Sequence, residues 1–450
     1  MVQHQSDNKD SADPKKLFFL PHASDKVRLI TLSVVIGISA GLAAAFLKWI
    51  IGEVSLLLHP LGLGSGPDWN MLWIPVAGIV LTGIYQRYVL RDNISHGVDK
   101  LVDDLADKRY SLSRKLMYAP IIASTFTLGF GGSAGSEGPI AYSGAAIGSN
   151  IGRCCGVSRQ QLYILIGCGS AAGIAGIFKA PVGGALFALE VLGMAFTTVS
   201  VIALFAATIS AALTAYALTG FTMDLTWTQN IAFDFRIMPY IIGLGVFTGL
   251  YSVYYSYVMG RMRKVYEAIP NPWIRNISSG LVLALMIFIF PTLYGEGYGT
   301  LNRVLDLEYT VPFAHSLLSG VGGGKLWLLL VLGGILVTKC FACSASNSGG
   351  GVAGDFAPTL FAGGIAGAFF ALAVNALWDA ELPVQVFAYV GMAGVMSGVI
   401  RAPLMALFLT AEMCNGFDYF MPLVTVVLIS YGMVMAVTHT KFYLPKKYRH

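Results

Sequence analysis

Charge is what this sequence has least of. Only 12% of its 450 residues are Asp, Glu, Lys or Arg, against roughly 25% in soluble domains. With 56% hydrophobic residues and a mean hydropathy of +0.68, the chain cannot cover itself with a wetted surface. Histidine is sparse too. His4, His22, His59, His96, His315, His439 and His450 show no H-x-x-x-H or comparable spacing, which argues against a metal site and against a membrane-embedded metalloenzyme. Six cysteines stand at 154, 155, 168, 340, 343 and 414. Cys340 and Cys343 form a C-x-x-C with no second pair to complete a zinc site, so they are expected to be helix-packing thiols. No cofactor and no enzymatic nucleophile is called for. Basic tracts interleaved with aromatics are missing, which excludes nucleic acid as a partner.

Long apolar runs are present instead. Leu29–Ile51, Val199–Leu218 and Ile237–Val253 approach the roughly 20 residues of a spanning helix, whereas Met71–Tyr85, Leu281–Phe290 and Leu326–Val337 fall short. The 52 glycines allow helices to approach closely or to stop inside the bilayer. The expected fold is all-α: a polytopic bundle of tilted and broken helices. No apolar core with a cleavage site follows the polar first residues, so no removed signal peptide is expected. Lys15, Lys16, Lys26 and Arg28 flank one end, and Lys441, Lys446, Lys447 and Arg449 the other. These place both termini on the cytoplasmic side of the cell membrane. The organisation expected is a polar tail at 1–27, membrane repeats at 28–225 and 237–440 around a linker at 226–236, and a basic tail at 441–450. Ten residues after 440 leave no room for a soluble regulatory module.

The repeat is visible in the letters. Gly169–Glu190 aligns without gaps on Gly391–Glu412, matching Gly176 with Gly398, Lys179 with Arg401, Pro181 with Pro403 and Glu190 with Glu412. Upstream, Pro139, Gly144 and Gly148 match Pro358, Gly363 and Gly367. Two blocks in the same order point to duplication, and in transporters to a binding site at the repeat interface. Each repeat carries a Gly-rich turn and a proline that opens an apolar helix, in GGSAGSEGP (131–139) and NSGGGVAGDFAP (347–358). A helix start at membrane depth offers free N–H groups and a positive dipole end to a dehydrated anion. It holds that anion less tightly than a full lysine or arginine charge, so the anion can leave. Five charged residues lie between Leu116 and Met223, and Glu137 stands in the helix start itself. A carboxylate at such depth costs about 2.5–3.5 kcal/mol unless compensated. As an anion it competes for the amide site, and protonation releases it, making a gate that also carries a proton.

At these residues the chain resembles the chloride-channel (CLC) family. Gly135-Ser136-Glu137-Gly138-Pro139 is similar to that family's G-[K/R]-E-G-P motif, and Gly354-Asp355-Phe356-Ala357-Pro358 to its G-x-F-x-P motif. The likeness runs over about residues 30–443. It implies two inverted repeats, a homodimer in the lipid bilayer with one anion path per subunit, and chloride and protons as the transported partners. By position it implies that Glu137 is the gate, that the amides of Asp355 and Phe356 beside Gly354 hold the anion, and that Tyr443 points its hydroxyl at it. Three departures stand out. Ser95-His96-Gly97-Val98-Asp99 replaces G-S-G-I-P and puts His96 at the usual serine. Ser136 replaces a basic residue, while Asp355 adds an acid beside the anion amides. Finally, Glu190 is followed by the apolar Val191 where many exchangers have a second, proton-receiving acid. Glu190 is left as a possible secondary acid. Val191 favours gated passive conduction, with chloride/proton antiport as the alternative. A carrier of other solutes with inverted repeats is a more distant one, since it gives no reason for Glu137.

Overall fold

Hydrocarbon offers no water to a peptide group, so a chain this apolar must satisfy its amides within helices. The computed structural model describes residues 24–58, 72–92, 94, 97–220, 225, 234–306 and 324–439, and all longer elements among them are helical. Eight precede Gly220: α1 (Asp25–Leu58), α2 (Ile74–Ile84), α3 (Gly97–Ala106), α4 (Ala119–Gly129), α5 (Glu137–Cys154), α6 (Arg159–Phe178), α7 (Pro181–Glu190) and α8 (Thr198–Thr219). Eight follow: α9 (Met238–Glu267), α10 (Pro272–Ile289), α11 (Tyr298–Leu305), α12 (Lys325–Ser348), α13 (Phe356–Trp378), α14 (Val384–Ile400), α15 (Pro403–Met413) and α16 (Phe420–His439). Among the described residues, eight helical segments are long and apolar enough to cross a membrane. By contrast α4, α7 and α15 have 11, 10 and 11 residues. At 1.5 Å per residue each covers roughly 15 Å, about half of the hydrocarbon core. Such helices must begin or end inside the protein.

The two sets of eight are built alike. α1 packs on α6 and α8, and α5 on α6, just as α9 packs on α14 and α16, and α13 on α14. Sequence explains the correspondence. Lys179 and Arg401, matched by the repeat, end α6 and α14 in the left-handed conformation (φ 55° and 62°). Pro181 and Pro403 then open α7 and α15, where a missing N–H is harmless. Between the halves, α7 lies against α15. Glu190, at the end of α7, accepts from the amides of Leu404 (3.1 Å) and Met405 (2.7 Å) at the start of α15. Glu412, at the end of α15, accepts from Val182 (3.0 Å) and Gly183 (2.8 Å) at the start of α7. Two equivalent helices that cap each other end to start run antiparallel, so the repeats are inverted.

Small residues set the helix spacing. A Cβ built on Gly144 of α5 runs into the carbonyl oxygen of Gly169 on α6, and one on Gly169 runs into the carbonyl oxygen of Gly144. Gly363 of α13 and Gly391 of α14 repeat this reciprocal contact. Carbonyl oxygens of packed helices cannot step aside, so a methyl group there forces the helices apart. Gly144→Ala and Gly363→Ala should each destabilise by about 1–3 kcal/mol, read as a lower unfolding temperature in detergent. Gly432→Ala, where the added carbon meets nothing within 4 Å, should leave that temperature unchanged.

Candidate functional site

Two Gly-rich turns carry the chain from α4 into α5 and from α12 into α13. Each turns on a glycine with positive φ, Gly131 (92°) and Gly350 (120°), a conformation open to glycine without steric cost. Side chains from neighbouring helices hold them. Ser133 N–H donates to Ser346 Oγ (2.9 Å), and Val352 N–H donates to Thr127 Oγ1 (3.0 Å). The turns meet in an antiparallel bridge, Gly135 N–H to Gly354 O (2.9 Å) and Gly354 N–H to Gly135 O (2.6 Å). A Cβ on Gly354 would stand 2.5 Å from the carboxylate of Glu137 and 2.7 Å from Gly138 N. Glycine is therefore required there by space. The bridge sets the starts of α5 and α13 side by side.

Glu137 is the first residue of α5, yet its carboxylate serves the other helix. Oε1 accepts from the amides of Phe356 and of Ala357 (3.1 Å) at the start of α13. Both belong to the first turn, whose N–H groups have no intrahelical acceptor. Pro358 follows and has no N–H to offer. Glu137 is buried, and its Oε2 has no hydrogen-bond partner in the described structure. The phenyl ring of Phe187 on α7 packs edge-on against Phe356 at 5.7 Å. One carboxylate thus fills an amide pair shaped for an anion, with a second oxygen open to a proton.

Of the residues singled out in the sequence, Glu137, Gly354 and Phe356 come together. Asp355 adjoins them through its backbone, but its carboxylate turns to α12, accepting from Asn347 Nδ2 and from Cys343 Sγ (3.4 Å). Ala357 supplies the second amide to Glu137. Glu190 lies apart, occupied by the α15 amides. His96 and Tyr443 lie outside the described residues.

Two charged groups at the site escaped the sequence reading. Glu296, half-buried between α10 and α11, accepts at one oxygen from Ser136 N–H (2.8 Å) and Ser136 Oγ–H (2.6 Å). It holds the start of α5 much as Glu137 holds the start of α13. Lys339 of α12 is fully buried. Its ammonium donates to Ser133 Oγ (2.8 Å) and lies 4.7 Å over the ring of Phe361. Through Ser133 it is tied to the turn that leads into Glu137, so a cation stands at this turn although Ser136 replaces the expected base. Lys339 could have been found by the argument that picked out Glu137, being the only charged residue from Leu326 to Gly354. Glu296 sits in an unremarkable YGEGYG and gave no comparable signal.

Residues 77–435 match the family model described as voltage gated chloride channel. A putative chloride channel protein ClcB-like of Ralstonia nicotianae is 28% identical over 375 residues, 81% of this chain and 82% of the relative. An H(+)/Cl(-) exchange transporter ClcA of Vibrio cholerae is 24% identical over 429 residues, 90% of this chain and 86% of the relative. Among solved structures, that of a slow cyanobacterial Cl-/H+ antiporter shares the fold with a TM-score of 0.76 at 20% identity, covering 92% of this chain and 95% of that one.

The geometry makes Glu137 the group whose charge competes for the amides of Phe356 and Ala357. Glu137→Gln should free that site at every pH, so that anion efflux from proteoliposomes loses the several-fold acceleration expected on acidification of the unmodified protein. Glu190→Gln should lower the unfolding temperature, by weakening the α15 cap, and leave the pH profile in place. A pH profile lost in the second variant and kept in the first would reverse the two roles.

Proposed function

The chain belongs to the voltage gated chloride channel (CLC) family, and on that footing we propose that it exchanges chloride for protons across the cell membrane, with Glu137 as both gate and proton carrier. The observation that carries this reading is the carboxylate of Glu137 on the amides of Phe356 and Ala357. A halide and a carboxylate need the same environment: N–H groups, a positive helix end and little water. They exclude one another from it. When Glu137 takes a proton it loses the charge that holds it there, leaves, and an anion enters. When the proton departs, the carboxylate returns and expels the anion. Carboxylate and anion therefore occupy the amide site in alternation, and each change of occupant is tied to a proton taken up or released at Glu137, which links anion movement to proton movement.

Val191 had favoured passive conduction, because it removes the second acid found in many exchangers. The relatives support exchange instead: the Vibrio cholerae protein is an H(+)/Cl(-) exchange transporter and the cyanobacterial neighbour a Cl-/H+ antiporter. Glu296, half-buried and bonded to Ser136 next to Glu137, is a second carboxylate at the gate that does not depend on position 191. The working unit in this proposal is a homodimer with one pathway per subunit, and both termini face the cytoplasm. Basic residues support that orientation. Lys26 and Arg28 open α1, and Arg28 reaches the carbonyl of Cys155 beyond α5, next to Arg153 and Arg159.

The test is the zero-current potential of the reconstituted protein under combined chloride and proton gradients. An exchanger shifts with both gradients and drives protons uphill on a chloride gradient, and Glu137→Gln abolishes the proton-dependent shift. A potential fixed at the chloride equilibrium whatever the pH difference would establish passive conduction and overturn the proposal.

A further inference from the structure

Away from the gate, the end of α2 has a second basic feature that transport does not use. α2 widens into a π-helical turn, Tyr85–Leu90, and stops at Arg91 in the left-handed conformation (φ 58°). Beside it, facing the first turn of α10, lies a cavity of about 400 Å³. Arg87, Arg91 and Arg275 line it, together with a single acid, Asp92. Asp92 is already paired with Lys100 (3.5 Å). No described carboxylate pairs with any of the three arginines, and Nε of Arg275 is buried without a hydrogen-bond partner. Three guanidinium groups round one hollow repel each other unless an anion joins them, and their planar forks match the oxygens of a phosphate.

The rim shows where that phosphate comes from. Arg87 lies 4.6 Å over the indole of Trp273, and the exposed Tyr88 stacks on the same indole at 6.3 Å. An aromatic pair beside arginines is the composition of a membrane–water interface. From there an exposed apolar stripe runs down α10 through Ile274, Ile277, Leu281 and Leu285, spaced so as to share one helix face. A headgroup in the cavity would lay its acyl chains along that stripe. This end of the molecule is rich in base: Arg261, Arg263 and Lys264 close α9, and Arg263 reaches Asp99 of α3 (3.2 Å). Such an excess marks the cytoplasmic side, whose leaflet carries anionic lipid.

The floor of the cavity leads back to the gate. Gln86 Nε2 donates to the carbonyl of Gly350 (2.9 Å). The side-chain amide of Asn276, in the orientation that satisfies its partners, donates to the carbonyls of Gly349 (2.9 Å) and Pro272 (2.8 Å). Gly349 and Gly350 begin the turn that ends at Gly354 and the amides of α13. We propose that the cavity between α2 and α10 binds the headgroup phosphate of an anionic phospholipid, clamped by Arg87, Arg91 and Arg275, and that the bound lipid steadies the turn leading to the anion-binding amides.

Native mass spectrometry of the full-length protein, stripped of lipid and offered phosphatidylglycerol and phosphatidylcholine in equal amounts, tests the binding independently of any transport reading. The unmodified protein should retain phosphatidylglycerol in several-fold preference, Arg87→Gln with Arg275→Gln should abolish the preference, and Arg275→Lys should keep part of it. Arg91→Gln, on the exposed rim, reads the same loss if the double variant fails to fold. In liposomes, phosphatidylglycerol should change the anion flux of the unmodified protein and leave that of the double variant unaffected. Equal retention of both lipids, or a preference that survives loss of the arginines, overturns the proposal. Binding of inorganic phosphate without preference between the lipids would assign the cavity to a soluble phosphate and overturn the lipid assignment.

Discussion

Two backbone hydrogen bonds between Gly135 and Gly354 decide where everything around Glu137 stands. An irregular turn in a membrane protein is tolerated only if its peptide groups find partners. Here each repeat supplies the partners for the other: the bridge itself, then Thr127 for Val352 and Ser346 for Ser133. Because the bridge is made of glycines, no side chain fills the space between the helix starts. Glu137 can lie across it and reach Phe356. Any Cβ at Gly354 would meet that carboxylate, so the backbone pairing and the position of Glu137 are one constraint.

The same exchange between halves recurs at α7 and α15. Glu190 and Glu412 each neutralise the start of the other's helix, a role open to an acid because the dipole end there is positive. Acids at helix termini therefore have two distinct uses in this molecule. Where donors on both oxygens satisfy the carboxylate, as at Glu190 and Glu412, it is a strut. Where one oxygen is left over, as at Glu137, it is free to change state. Phe187 links the two kinds of site, since it belongs to the strutted α7 and packs on Phe356.

Most of the architecture was legible in the letters because duplication leaves paired signals. Lys179 and Arg401 aligned, and both turn out to end a helix in the left-handed conformation. Gly144 and Gly363 aligned, and both turn out to be crossing points. Glu137 was legible from the cost of a carboxylate in an apolar stretch. The pairings that escaped span long separations. Glu296 meets Ser136 160 residues away and Lys339 meets Ser133 206 residues away, and neither pairing leaves a local pattern. The motif also gave no sign of which amides the Glu137 carboxylate itself would take, Phe356 and Ala357 inside the first turn of α13.

Synthesis runs in one direction, and that gives the long reach of these carboxylates a cost in time. The donors to Glu137 lie 219 and 220 residues further along the chain, and those to Glu190 lie 214 and 215. While the first eight helices enter the bilayer, their two acids have no amides to hold them, and the chain must wait through most of its translation before either is satisfied. Contacts this distant in sequence slow folding and leave the early half exposed to wrong partners. A nascent chain that stops before α13 is therefore not a smaller transporter but an unfinished membrane segment carrying unmatched carboxylates, a ready substrate for the cell's quality control.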